Sequence, residues 1–358
     1  MNARERFRRT MHYEKPDRLP FYQFIGFWPE TINRWYREGL PPGMSVWDYF
    51  GFDKMEALPL DYGPIPQFVH KTLYENDRYR IEVQTNGLTV KTLKTSTSMP
   101  GFIDFPVKNR ADWGKIKKRY DPKDPRRYPK TWGDELIEYY NTVDQPVGIH
   151  LGSCFGWARD LMSLERLVIG FYKEPDLVHE IMGFWADFAI EMITPTVEAV
   201  KFDFATIWED MAYKNGPHIS PRLFREFMLP NYKKVTNYVK SKGIDIIMVD
   251  TDGNHEAITP LFLEGGVNCL YPLEVQAGMD AKATRKKYGR ELRLVGNIDK
   301  VALIRGKDAI KKEVNSKLPF LVKDLGYIPS VDHCVPADVP FEHFNYYVSL
   351  IKEHITKV

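Results

Sequence analysis

Two hydrophobic rhythms alternate along this chain. Short, nearly continuous apolar runs recur at Pro146–Leu151, Phe204–Trp208, Ile246–Val249, Val267–Tyr271, Leu292–Val295 and Tyr327–Val331. Runs of this kind read as strands buried on both faces, as in a parallel sheet covered by helices. Between them, apolar residues return every three or four positions, near 156–168, 174–200, 220–240, 255–264, 280–288, 307–321 and 339–354. That period predicts helices, and Ser220 before Pro221 is placed to start one of them. Strand and helix alternate from residue 146 onward, and no Gly-x-Gly-x-x-Gly turn interrupts them. The pattern predicts a (β/α)8 barrel in preference to a doubly wound sheet.

The first third of the chain is less regular. Residues 2–12 have a helical period, EKPDRLP breaks the chain, and Phe21–Phe27 reads as the first strand. Tyr79–Thr85 and Leu88–Lys94 alternate and are joined by Asn86-Gly87, a strong hairpin signal. A hairpin has no place inside a parallel repeat, so residues 29–110 are expected to form a cap inserted into a single domain spanning 1–358. Seven strands are placed in this way. The eighth is expected in the cap region or within 95–110.

Composition narrows the class. With 358 residues, 43% of them hydrophobic, the chain can bury a large core. Fifty basic and 48 acidic residues nearly cancel, which argues against nucleic acid as a partner. The basic clusters at Lys115–Arg119 and Arg126–Arg127 read as solvated faces. Three cysteines, Cys154, Cys269 and Cys334, follow an N-terminus that lacks the apolar core of a secretion signal. A cytoplasmic location with free thiols is expected, the first two in the core. The most apolar long stretch, Ile181–Val200, contains Asp187 and Glu191, so no membrane span is expected.

The chemistry gathers at strand ends: Glu209-Asp210, Asp250 and Asp252, Glu274, Asp299, and Asp332-His333-Cys334. In a barrel these positions converge on one mouth. Taken singly, each acid could be a helix cap or a loop ion pair, and Asp252 and Asp299 both precede helices. Five strand ends agreeing exceeds what capping requires. Asp250, Asp252, His333 and Cys334 offer carboxylate, imidazole and thiolate to a divalent metal. Zn²⁺ suits that set best, although no C-x-x-C or H-E-x-x-H spacing occurs. Glu209 and Asp210 are candidates for acid catalysis. Gln23, Trp28, His150, Ser153, Glu274 and Asn297 are expected to line the substrate pocket.

Five stretches, RERFRRTMHYEKPDRLP, ISPRLFREFMLP, VDTDGN, GNIDK and YIPSVDHCVPADVP, carry a resemblance to the uroporphyrinogen decarboxylase superfamily over nearly the whole chain. The resemblance implies a single (β/α)8 barrel and one of two chemistries: decarboxylation of a porphyrinogen's acetate arms, or methyl transfer to or from a corrinoid. The decarboxylase branch carries Arg-Gln-Ala-Gly-Arg after the first strand. Here the comparable stretch is FIGFWPETINRWYR, with only Arg34 and Arg37. The methyltransferase branch carries a zinc motif, His-x-Cys-Gly-Asn, and a Gly-Cys-Gly at the last strand. Their places are taken here by Asp250-Thr251-Asp252-Gly253-Asn254 and Asp332-His333-Cys334.

The resemblance thus implies a cobamide-dependent methyltransferase whose oxygen-rich zinc site, or an acid, polarises an ether or alcohol oxygen. The methyl donor would be a small O-methyl compound such as a methoxylated aromatic. No corrinoid-binding Asp-x-His-x-x-Gly run is present, so the corrinoid would be brought by a partner protein. A homodimer is implied as well, since similar proteins commonly pair. The alternatives are a decarboxylase or lyase of a carboxylated small molecule or tetrapyrrole, and a non-catalytic barrel that binds a corrinoid or tetrapyrrole.

Overall fold

The computed structural model describes residues 1–94 and 99–358. In chain order the strands are Glu56–Leu58 (β1), Lys71–Glu75 (β2), Tyr79–Val83 (β3), Thr89–Leu93 (β4), Gly101–Asp104 (β5), Val147–His150 (β6), Phe204–Trp208 (β7), Ala212–Tyr213 (β8), Gly216–Pro217 (β9), Ile247–Asp250 (β10), Cys269–Tyr271 (β11), Arg293–Ile298 (β12) and Tyr327–Val331 (β13). Seven of them form one parallel sheet in the order β1-β6-β7-β10-β11-β12-β13. Neighbours in that sheet are separated in sequence by helices, among them Pro175–Ala199, Leu229–Ser241, Ala281–Tyr288 and Lys307–Asp324. This is the curled sheet of a TIM-like barrel, as the alternation of periods predicts.

The barrel interior is filled by side chains from alternate strand positions. Phe204, Ile246, Met248, Cys269, Val295 and Ile328 meet there, joined by Phe7 and Met11 of the N-terminal helix Ala3–Met11. That helix plugs the end of the barrel where the strands begin. Gly148 on β6 makes room for the Phe204 ring, which would collide with any Cβ at that position. Cys154 and Cys269 are both fully buried, as expected of core thiols.

Phe21–Phe27 is not a regular strand. Among the described residues its one β-bridge joins Phe27 to Val335, where Val335 N donates to Gly26 O at 3.0 Å and Trp28 N donates to Val335 O at 3.2 Å. Further back, the Gln23 side chain substitutes for a ladder: its Oε1 accepts from Val331 N at 3.1 Å and from Ser330 Oγ at 3.2 Å. The aromatic run has the composition of a strand, but its contacts to β13 pass largely through a carboxamide.

The eighth strand position is occupied by β1, which pairs with β6 from Glu56↔Val147 to Leu58↔Ile149. At three residues it is too short to give a periodic signal. The stretch 29–110 therefore divides. The helix Pro29–Glu38 belongs to the barrel wall, where Trp35 packs on Phe341 and Phe344 of the closing helix Phe341–Ile355. The part that stands apart is the antiparallel sheet β2-β3-β4-β5. The hairpin lies where Asn86-Gly87 places it, with β3 and β4 paired from Tyr79↔Leu93 to Val83↔Thr89. Of the alternative range 95–110, residues 95–98 lie outside the described residues, and β5 joins the antiparallel sheet. No helix is long and apolar enough to cross a membrane among the described residues.

Candidate active site

The ends of β7 and β10 are tied side by side: Glu209 N donates to Asp250 O at 2.8 Å, and Met211 N donates to Thr251 Oγ1 at 3.2 Å. Asp250 shares its strand face with Met248, so its carboxyl turns into the barrel. Asp252 follows in the turn. Gly253 has φ +78° there, and a Cβ would lie 2.5 Å from the Ala212 carbonyl carbon, so only glycine carries the chain past. Asp252 does not cap the following helix, Thr259–Glu264, whose first turn has no side-chain cap. Its carboxylate instead meets His333 Nε2 at 3.2 Å, bridging β10 to β13.

Electrostatics set these groups apart. Burial pushes the Asp250 carboxyl well above the ordinary range, and the charges of Asp252 and Asp210 add to the shift. Asp210 is raised too, by burial and then by Asp252. Its backbone sits at φ +45°, where a non-glycine residue is rarely found, and Arg159 Nη1 holds its carbonyl at 2.9 Å. The hydrogen bond that His333 Nε2 donates to the Asp252 carboxylate raises the His333 pKa. The mouth thus combines two buried acids of raised pKa with one ion pair.

Glu209 has a different role from the expected one. It is fully buried, and five donors surround its carboxylate: Ser153 Oγ, the backbone N–H groups of Cys154, Phe155 and Gly156, and Tyr232 OH, at 2.5–3.1 Å. Three of the five lie at the start of the helix Phe155–Met162, a natural seat for a carboxylate. Glu209 anchors that helix to β7 and has no face left for a substrate. Asn297 is likewise consumed, accepting from Ala281 N and donating to Leu273 O and Met279 O. Gln23 is committed to β13, and Trp28 stands at the N-cap position of the helix Pro29–Glu38 without a side-chain hydrogen bond to it. Asp299 caps the helix Lys300–Arg305, one of the two possibilities its position offered.

Glu274 remains at the mouth, paired with Lys300 Nζ at 2.8 Å and accepting from Gly253 N at 3.1 Å. Asp332 is buried beneath them, accepting from Val275 N and Lys300 N. Burial holds its pKa up at about 6.

Beside the β6 and β7 ends lies a cavity of about 160 Å³. Its walls are aromatic, with Tyr62, Trp157, Trp185, Phe188 and Trp208, and its polar groups are His150, Ser153 and Asp160. Burial lowers the His150 pKa to about 4, so the ring is neutral at ordinary pH. Its Nδ1 meets Thr206 Oγ1 at 3.2 Å. Arg159 joins the cavity to the acids, since its guanidinium lies 5.0 Å from the Trp208 ring centroid while it bonds Asp210. Of the pocket residues read from the sequence, His150 and Ser153 line this cavity. Trp157, Asp160, Trp185 and Phe188 were missed because they lie on helices, where an apolar stripe reads as core.

The four residues expected to hold zinc are only partly gathered. Asp252 and His333 touch, whereas Cys334 is a half-buried thiol raised by burial to about 11. Among the described residues, no group of three or more His, Cys, Asp or Glu side chains is arranged to hold a metal ion. The side chains as placed do not fit a zinc centre.

Parallel strands whose ends converge on an acidic mouth define a (β/α)8-type catalytic architecture. The sequence model of one family, uroporphyrinogen decarboxylase (URO-D), matches residues 80–354. The chain belongs to that family. It is 26% identical over 202 residues to the uroporphyrinogen decarboxylase of Legionella pneumophila (strain Corby), covering 55% of this chain and 53% of the relative. It is 22% identical over 198 residues to that of Carboxydothermus hydrogenoformans, with the same coverage. The chain spans about half the length of the curated relatives it matches. Among solved structures, a methyltransferase from Methanosarcina mazei superposes with a TM-score of 0.64 over 99% of both chains at 18% identity, which shows a common fold.

Proposed function

We propose that this protein is a methyltransferase that moves a methyl group from a small O-methyl compound, such as a methoxylated aromatic, to the Co(I) corrinoid of a separate protein. The observation that carries the reading is the pair of buried acids, Asp210 and Asp250, both raised by burial and by neighbouring carboxylates, next to an aromatic cavity. Alkoxides and phenolates leave poorly. Raising the pKa of a carboxylic acid favours the protonated form, which can hydrogen-bond to the ether oxygen and release its proton as the bond breaks. The methyl–oxygen bond breaks, the methyl carbon passes to the acceptor, and the oxygen keeps the bonding pair and takes the acid's proton. The partner's corrinoid supplies the nucleophile. The residues of this chain hold the donor among aromatic walls, exclude water and deliver the proton.

Family membership and the fold shared with a methyltransferase support the reading, as does the engagement of the cations at the mouth, where Lys300 pairs with Glu274 and Arg159 bonds the Asp210 carbonyl. Arg34 is turned away, bonded to Glu38 and to Ala337 O. A porphyrinogen with many carboxylates would face Asp210, Asp250, Asp252 and Glu274. Decarboxylation of a carboxylated substrate is the second reading, and it rests on the activity for which the curated relatives are named.

The test is incubation of the purified protein with reduced cobalamin and methoxylated aromatics carrying a labelled methyl carbon. Label should appear on the corrinoid, and Asp250→Asn should slow its appearance by roughly 10²-fold or more. Label that stays on every donor, together with carbon dioxide release from a carboxylated substrate without corrinoid, would sink methyl transfer in favour of the second reading. Metal analysis settles the zinc expectation: zinc bound by the wild type and lost from both Asp252→Ala and His333→Ala would put a metal in the acid's place.

A further inference from the structure

The cavity beside the β6 and β7 ends is selective in its size and in which of its polar groups are free. At about 160 Å³ it matches the apolar cavities of about 150 Å³ that hold one benzene, so it takes one ring and not two. Most of its polar atoms are already spent. Ser153 Oγ donates to Glu209 Oε2 at 3.0 Å and accepts from Trp157 N at 3.1 Å. Tyr62 OH is bound to His150 O, and Trp185 Nε1 donates to Leu151 O at 3.0 Å. His150 is neutral and held through Nδ1 by Thr206 Oγ1. Asp160 is the one carboxylate on the wall.

Asp160 lies on the helix Phe155–Met162 and is half-buried, and burial raises its pKa. Among the described residues its hydrogen-bond partner is Arg159 Nε, 3.3 Å from Oδ1, and Oδ2 has no donor. The rest of Arg159 is turned elsewhere, with Nη1 on Asp210 O and the guanidinium over the Trp208 ring. A ring that fills the cavity excludes water from Oδ2. The ring must then bring a hydrogen-bond donor of its own, or leave the carboxylate unsatisfied. Arg159 already supplies the compensating positive charge, so a neutral O–H suits this oxygen better than a second cation. A carboxylate on the ring would meet Asp160 as a like charge. Trp208 on the cavity wall is the strand partner of Asp250, which sets the ring beside the acids of the mouth.

We propose that Asp160 determines specificity by accepting a hydrogen bond from a free hydroxyl on the bound ring, so that the cavity takes one-ring phenols and, as methyl donors, methoxyphenols. Fully methylated, carboxylated and two-ring aromatics are turned away. The donor class rests on the methyl-transfer reading above, whereas the recognition of a phenol does not.

Tryptophan fluorescence of the full chain, with three indoles on the cavity wall, reports binding without any corrinoid. Phenol is expected to bind roughly tenfold or more tighter than anisole, the worth of one hydrogen bond to a charged acceptor. Benzoate and naphthol should bind more weakly than anisole. Asp160→Leu should bring phenol down to the level of anisole while anisole is held as before. Asp160→Asn, which keeps an acceptor oxygen and drops the charge, should retain part of the phenol preference and admit benzoate. Phenol and anisole binding alike to the wild type would overturn the proposal. So would a phenol preference that survives Asp160→Leu, or a benzylammonium that binds tighter than phenol. If Asp160→Leu fails to fold, the wild-type ligand series and Asp160→Asn decide. Failure of methyl transfer reads out separately. Selective phenol binding with no label reaching cobalamin from guaiacol sinks the proposed reaction and leaves Asp160 its role. Label moving from veratrole as fast as from guaiacol does the reverse.

Discussion

Asp203 and Asp53 lie where the strands begin; Asp210 and Asp250 lie where they end. The first pair is saturated with partners. Asp203, with no side-chain exposure, takes Arg4 Nε at 2.9 Å, Arg8 Nε at 3.0 Å and Val147 N at 2.7 Å. Asp53 takes Arg6, Arg18 and the Phe21 backbone. At the mouth, Asp210 and Asp250 have no side-chain cation within bonding distance among the described residues, and their charges repel each other and Asp252. Burial costs a carboxylate the same desolvation at either end. The bottom answers it with guanidinium groups, whereas at the mouth the pKa of each acid rises. Compensated charge holds the plug helix in place. Uncompensated charge is what an acid catalyst needs.

The largest expected effect comes from breaking the saturated end. Asp203→Ala would leave the Val147 N–H unpartnered and strip the Arg4 and Arg8 guanidiniums of their carboxylate, at a cost of about 3–5 kcal/mol in chemical denaturation. A change below about 1 kcal/mol would contradict the contrast. At the other end, Asp250→Asn is expected to leave stability level or raised, because it removes a buried acid that lacks a partner, while methyl transfer falls by roughly 10²-fold or more. A loss of stability like that of Asp203→Ala would show Asp250 to be structural.

Asp332 sharpens the comparison through pH. Its folded pKa of about 6 stands above the ordinary 3.8. The protonated group therefore favours the folded state below about pH 4, and that contribution is lost as pH rises through 6. Asp332→Asn cannot titrate, so the wild-type stability measured against it should fall by about 3 kcal/mol between pH 4 and 7, at most. A flat difference would mean that Val275 N and Lys300 N hold the carboxylate ionised.

The smallest effect belongs to the pair near the surface. His333 has a raised pKa, so its bond to Asp252 contributes below the ordinary histidine pKa and is lost as pH rises past the folded value. Asp252 and His333 are about one-third exposed. Asp252→Asn should therefore cost about 1 kcal/mol or less in mildly acidic solution and nothing in alkaline solution.

The barrel was legible in the sequence because parallel strands buried on both faces leave unbroken apolar runs. Phe204–Trp208 and Tyr327–Val331 have the bounds their composition gives them. β1 was not legible, since three residues cannot display a period, and Phe21–Phe27 misled because Gln23 satisfies β13 by its side chain. The presence of acids at successive strand ends was also determined by sequence alone, because strand polarity sends every C-terminal end to one mouth.

Only the tertiary structure decided which of those acids can act. Adjacent Glu209 and Asp210 are equivalent on paper, yet one is consumed by five donors and the other is stranded beside like charges. Most of those donors lie more than fifty residues earlier in the chain. Asp252 and His333 meet across eighty-one positions, and Trp157, Trp185 and Trp208 become the walls of one cavity only after three elements pack. Strand and helix periods are local properties of a chain. Protonation and cavity walls depend on contacts that the fold alone brings together.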